Sequence, residues 1–85
     1  MNVDENISVQ TGLLTGANDV EVVFERTGPD AGSSDVTISY TVRFNDNIVS
    51  TFTKTMWQGE TSATDHIQGP NPTGFAEVVD VSWTY

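Results

Sequence analysis

Between residues 35 and 55 the chain reads DVTISYTVRFNDNIVSTFTKT, and apolar and polar side chains exchange places at nearly every step. Successive Cβ atoms of a strand point to opposite sides of a sheet, so this period of two suits a strand with one dry face and one wet face. In a helix the same residues would scatter apolar groups around the whole cylinder. Val36, Ile38, Tyr40, Val42 and Phe44 therefore share a core face, and Thr37, Ser39, Thr41 and Arg43 face the other way. Similar alternation recurs along the chain between Gly, Pro, Asn and Asp punctuation, with β-branched Val and Thr prominent. The pattern predicts an all-β protein with strands near 6–11, 19–27, 35–44, 48–57, 62–67 and 75–84. Six short strands with two or more apolar faces predict a small antiparallel β-sandwich, with a small partly open barrel as the alternative.

The central hairpin fixes its own register. Paired residues share a side of the sheet, and a slip by one would exchange the faces. A three-residue loop, Asn45-Asp46-Asn47, sets Phe44 against Ile48, Val42 against Ser50, Tyr40 against Phe52 and Val36 against Met56. A two-residue loop would instead oppose Tyr40 to Thr53 and Ile38 to Thr55, burying hydroxyls against carbon. Asn and Asp also tolerate the left-handed backbone that the longer loop needs. This register carries Lys54 to the inner side, opposite Ile38, where its stem is expected to lie along apolar surface with its head in water or against a carboxylate.

Elsewhere Val20, Val22 and Phe24 share a face opposite Glu21 and Glu25, and the run stops at a loop from Thr27 to Ser34. The final strand is expected to place Val79, Val81, Trp83 and Tyr85 inward and Asp80, Ser82 and Thr84 outward. Residues 1–5 are expected to form a loose N-terminal arm, and Pro70-Asn71-Pro72 stiffens the loop before the last strand.

Eighty-five residues close one hydrophobic core, so a single domain spanning 1–85 is expected. A composition of 36% hydrophobic residues can fill it. Twelve acidic residues against Arg26, Arg43 and Lys54 give a formal charge of −9, which repels phosphate backbones and anionic lipid. Nucleic acid and membranes are accordingly not expected as partners. The acidic residues spread along the chain as a solvated surface, for which solubility and adaptation to high salt are the two readings. Without cysteine there is neither a disulfide framework nor a thiolate metal site. The start MNVDENISV has no basic segment followed by an apolar one, so synthesis in the cytoplasm without a signal peptide is expected.

Chemistry is sparse. The chain has no cysteine nucleophile and one histidine, His66, whose neighbour Asp65 would point to the opposite face of a strand. No enzymatic activity and no cofactor are expected. The oxygen-rich loops 30–35 and 45–47 offer the ligand type that calcium takes, but neither has EF-hand spacing and Asx turns explain both.

What remains is the polar side of the hairpin: Thr37, Ser39, Thr41, Thr51, Thr53 and Thr55, with Arg43 near the tip and Trp57 at the far end on the same parity. Threonine pairs stabilise a sheet without any ligand. A flat, short-chained, nearly uncharged surface is also one that another protein can approach without immobilising long side chains. These eight residues are the candidate interface. A single row of three threonines is too small for an ice-binding face. For Trp57 the competing expectation packs it beneath a loop.

The strand pattern, with the connecting turn Trp57-Gln58-Gly59-Glu60-Thr61-Ser62-Ala63-Thr64 and a closing strand from Phe75, resembles small immunoglobulin-like β-sandwich modules that lack the paired cysteines of antibody domains. A short acidic module of this kind resembles the head decoration or cement proteins of tailed bacteriophages. That resemblance implies a virion protein bound to the major capsid protein on the outside of the shell, often as a homo-trimer, and carries over no binding residue. The rival expectation is a glycan-binding or adhesion module with Trp57 stacking on a sugar ring.

Overall fold

Six strands form where the alternation predicts them. In the computed structural model, which describes residues 3–14 and 18–85, they are β1 (Asn6–Leu13), β2 (Asp19–Thr27), β3 (Val36–Phe44), β4 (Val49–Met56), β5 (Ser62–Gln68) and β6 (Ala76–Thr84). They pair into two three-stranded antiparallel sheets, one ordered β1-β2-β5 and the other β4-β3-β6. The two sheets face each other as a small antiparallel β-sandwich.

The core is the sum of the inward rows. From the first sheet come Ile7, Val9, Val20, Val22, Phe24 and Ile67, and from the second Val36, Ile38, Tyr40, Val42, Phe44 and Met56. Tyr40 ties the layers together. Its ring meets Phe24 edge-on at 5.3 Å and stacks on Phe52 at 5.5 Å, both within the range in which aromatic pairs attract. Burial pushes the Tyr40 phenol up to about 12, with the charge of Asp65 adding to the effect.

The hairpin has the register expected of it. Val36 opposes Met56, Ile38 opposes Lys54, Tyr40 opposes Phe52 and Val42 opposes Ser50. The Phe44 N–H donates to the Ile48 carbonyl at 2.6 Å, closing a three-residue loop in which Asp46 and Asn47 take positive φ of 62° and 59°. Lys54 sends its head across to β5, where Nζ donates to Asp65 Oδ1 at 3.2 Å. That bond spans the open side of the sandwich, between the edges of β4 and β5. On the other side β1 packs against β6, and Thr11 Oγ1 donates to the Ala76 carbonyl at 2.9 Å.

The structure corrects the reading of β6. Its register against β3 shifts between Thr41, opposite Asp80, and Val42, opposite Val78. Val79 is the extra residue of this β-bulge and is 48% exposed, while Val78 replaces it on the inner side with Val81 and Trp83. Tyr85 is likewise not a core residue, being 56% exposed, although its hydroxyl turns back to the protein.

The arm is also corrected in part. Met1 and Asn2 lie outside the described residues. Asp4, however, exchanges hydrogen bonds with Asp30: its N–H donates to Asp30 Oδ2 at 2.7 Å and its carbonyl accepts the Asp30 N–H at 3.1 Å. Glu5 is buried against Arg26, the last inward residue of β2. Arg26 Nε and Nη2 donate to the two Glu5 oxygens at 2.8 and 3.0 Å, and the remaining guanidinium hydrogens reach the carbonyls of Ser34 at 2.7 Å, Glu60 at 3.1 Å and Trp57 at 3.5 Å. Tyr85 donates its hydroxyl to the same carboxylate. Hydrogen bonds from Arg26 hold the Glu5 carboxyl below its ordinary range although burial opposes this, and Tyr85 adds to the lowering. One pole of the sandwich is thus sealed by a charge pair with several further partners.

Candidate functional site

The outer face of β4-β3-β6 gathers every residue of the candidate interface except Trp57, which follows directly after β4. Alternation puts Thr37, Ser39, Thr41 and Arg43 of β3 outward, and the hairpin register sets Thr55, Thr53, Thr51 and Val49 beside them. On the other flank β6 contributes Thr84, Ser82, Asp80 and Glu77. The face is therefore a grid of cross-strand rows: Thr55-Thr37-Thr84, Thr53-Ser39-Ser82, Thr51-Thr41-Asp80 and Val49-Arg43-Glu77. Neighbouring strands lie about 4.8 Å apart and alternate residues along a strand about 6.7 Å apart, which spaces the hydroxyls nearly evenly. The hydroxyls of Thr41 and Thr51 bond each other at 3.1 Å.

Charge on this face is confined to the half nearer the hairpin tip. Arg43 Nη2 donates to Glu77 Oε2 at 2.8 Å, and the guanidinium lies 5.6 Å from the centre of the Phe75 ring. Arg43 Nη2 is thus taken within its own sheet, while Nε is buried and finds no hydrogen-bond partner among the described residues. The β6 residues Ser82 and Thr84 widen the hydroxyl surface beyond what the hairpin alone indicated. Their outward parity was legible in the sequence, but their place beside β3 required the strand order.

Trp57 is 61% exposed, so the expectation that it packs beneath a loop does not hold. Its backbone is nevertheless fixed. The N–H donates to Glu60 Oε1 at 2.7 Å and the carbonyl accepts the Glu60 N–H at 2.9 Å, closing a turn in which Gly59 has φ of +92°. The Gln58 N–H donates to Asp35 Oδ1 at 2.7 Å. Directly after the outward row of β4, Trp57 therefore offers an exposed aromatic side chain on a held backbone.

Asp65 and His66 do part to opposite sides of β5, Asp65 to Lys54 and His66 to solvent. The carboxylates of Asp30 and Asp35 accept backbone N–H groups, as Asx-type loops do. Among the described residues no three His, Asp or Glu side chains converge as a metal site. Compared with family models, curated proteins and solved structures, the chain matches none.

Proposed function

We propose that this chain is a non-enzymatic structural and interaction protein that docks through the outer face of β4-β3-β6, in the role of a decoration or cement protein on a phage capsid shell. The observation that supports it is the uncharged half of that face, where Thr55, Thr37, Thr84, Thr53, Ser39 and Ser82 present short side chains on a paired sheet. Little side-chain entropy is lost when such a surface is covered, and the hydroxyls can donate or accept as the partner requires. Repetition on a lattice makes modest contacts sufficient, because many weak junctions sum over a shell. The virion role rests on the resemblance in size, acidity and strand pattern.

Co-sedimentation with tailed-phage capsid shells tests this reading. The chain should pellet with shells, and a Ser39→Lys, Ser82→Lys variant should remain in the supernatant with an unchanged circular dichroism spectrum. Equal pelleting of both, or of neither across a panel of shells, removes it. The exposure of Trp57 supports one rival, a glycan-binding module. That rival requires the Trp57 emission to respond to a saccharide in a broad panel, and silence throughout excludes it.

A further inference from the structure

The β4 edge carries a second message, independent of the face. Because Phe44 and Ile48 form a hydrogen-bonded pair at the head of the hairpin, the even-numbered residues of β4 bond to β3. The N–H and C=O groups of Val49, Thr51, Thr53 and Thr55 consequently point away from the sheet, and among the described residues no strand pairs with them. Exposed edges are ordinarily blunted by an outward charge, a proline, a bulge or an inward-pointing charged residue. The β4 edge has no outward charge, no proline and no bulge; its one guard is Lys54, whose stem turns inward and whose head is held by Asp65. The edge of β6 is interrupted by the bulge at Val79, and β1 is packed along β6. The edge of β5 carries His66 outward.

The outward residues of β4 and its extension read Val49, Thr51, Thr53, Thr55, Trp57, a sequence of apolar, three threonines, apolar that is symmetric about Thr53. A strand with this symmetry is complementary to itself when reversed. We propose that two copies of this chain pair antiparallel along β4 across a two-fold axis at Thr53, joining their second sheets into one of six strands. Thr53 meets Thr53 of the second copy, Thr51 meets its Thr55, and Val49 covers the exposed ring of its Trp57 at both ends of the seam. The pairs nearest the axis supply backbone hydrogen bonds. The Trp57 backbone is already committed to its turn, so the outermost pair contributes side-chain contact alone. Val49 and Trp57 are 54% and 61% exposed in the single chain, and directly opposed side chains in such a ladder approach within contact distance. The contact is isologous and closes at two copies, in place of the trimer that the decoration-protein resemblance implies.

Each copy carries −9, so mutual repulsion opposes the pairing at low ionic strength and screening favours it. Sedimentation equilibrium of the intact chain, from about 1 µM to about 1 mM, should show a monomer–dimer equilibrium that tightens between about 0.05 M and about 0.5 M NaCl. Thr53→Pro removes an N–H that β3 does not use, and Thr53→Lys keeps the backbone and adds a charge at the axis, so the test survives if the proline variant does not fold. Thr53→Lys and Val49→Asp should each weaken the dimer by at least about tenfold while leaving the circular dichroism of the monomer unchanged. A monomer at every concentration and salt, a trimer, or a dimer indifferent to Thr53→Lys or Val49→Asp would each overturn the proposal.

Discussion

Arg26 ends the inward row of Val20, Val22 and Phe24, where hydrocarbon gives way to a guanidinium with no exposed side-chain surface. Its cost of desolvation is offset because Glu5 takes it in two places and backbone carbonyls take the rest. Arg26→Ala should lower unfolding free energy by about 3–5 kcal/mol in urea titrations, since it strands the Glu5 carboxylate in the interior. A paired Glu5→Leu, Arg26→Met change should recover only part of this, because the Ser34 and Glu60 carbonyls lose their donor. Gly69 is constrained by space: a Cβ there would lie 2.9 Å from Phe44 Cδ1, against a ring that is itself buried. Gly69→Ala should cost about 1–3 kcal/mol by overpacking, read from the same titrations. The parity of Arg26 was visible in the sequence, but its partners were not, because Glu5 and Tyr85 lie 80 residues apart and meet only once the chain has folded.

At the scale of the strand, what could be read was what is local. Strand positions, the inward rows of β2 and β3 and the hairpin register follow from alternation and from the turn chemistry of Asp46 and Asn47, all within a few residues of each other. The bulge in β6 could not be read this way. Val79 continues an apolar row from Val81 and Trp83, and only the pairing with β3 shows the chain stepping out by one residue. Val79→Lys should therefore change the unfolding free energy by no more than about 0.5 kcal/mol in urea titrations, whereas the same change at Val78, which packs against the core, should lower it by about 1–3 kcal/mol. The candidate face was legible as a parity class, but its extension onto β6 and the capture of Arg43 by Glu77 depend on which strand lies next to which.

For the molecule as a whole, charge governs the response to solvent. The −9 surface repels itself in the compact state, so the thermal midpoint should rise with NaCl at neutral pH, as calorimetry would show. Acid acts in two opposed ways. Protonation of carboxylates relieves repulsion, whereas Glu5, whose carboxyl is held below its ordinary 4.5 by Arg26, stabilises the fold above that value and loses its contribution as pH falls through its lowered one. Comparison with Glu5→Gln isolates the second effect: the variant should be less stable at neutral pH and flatter below pH 4.5. At the alkaline limit the Tyr85 phenol, pushed up to about 12 by loss of water and by its bond to Glu5, favours the fold below 10, and that contribution disappears as pH climbs from 10 to about 12. Denaturant midpoints across pH should show both limbs.

The bond from Tyr85 to Glu5 also has a mechanical meaning. Glu5 and Tyr85 meet at one pole, while Thr11 and Ala76 meet towards the other, so β1 and β6 run in opposite directions side by side and residues 3–5 and 85 sit at the same end of the molecule. A tension applied between those two points would peel the strands apart one contact at a time and would never load many of them together in shear. The domain should therefore yield at low force when drawn out between those two points, as single-molecule pulling would show.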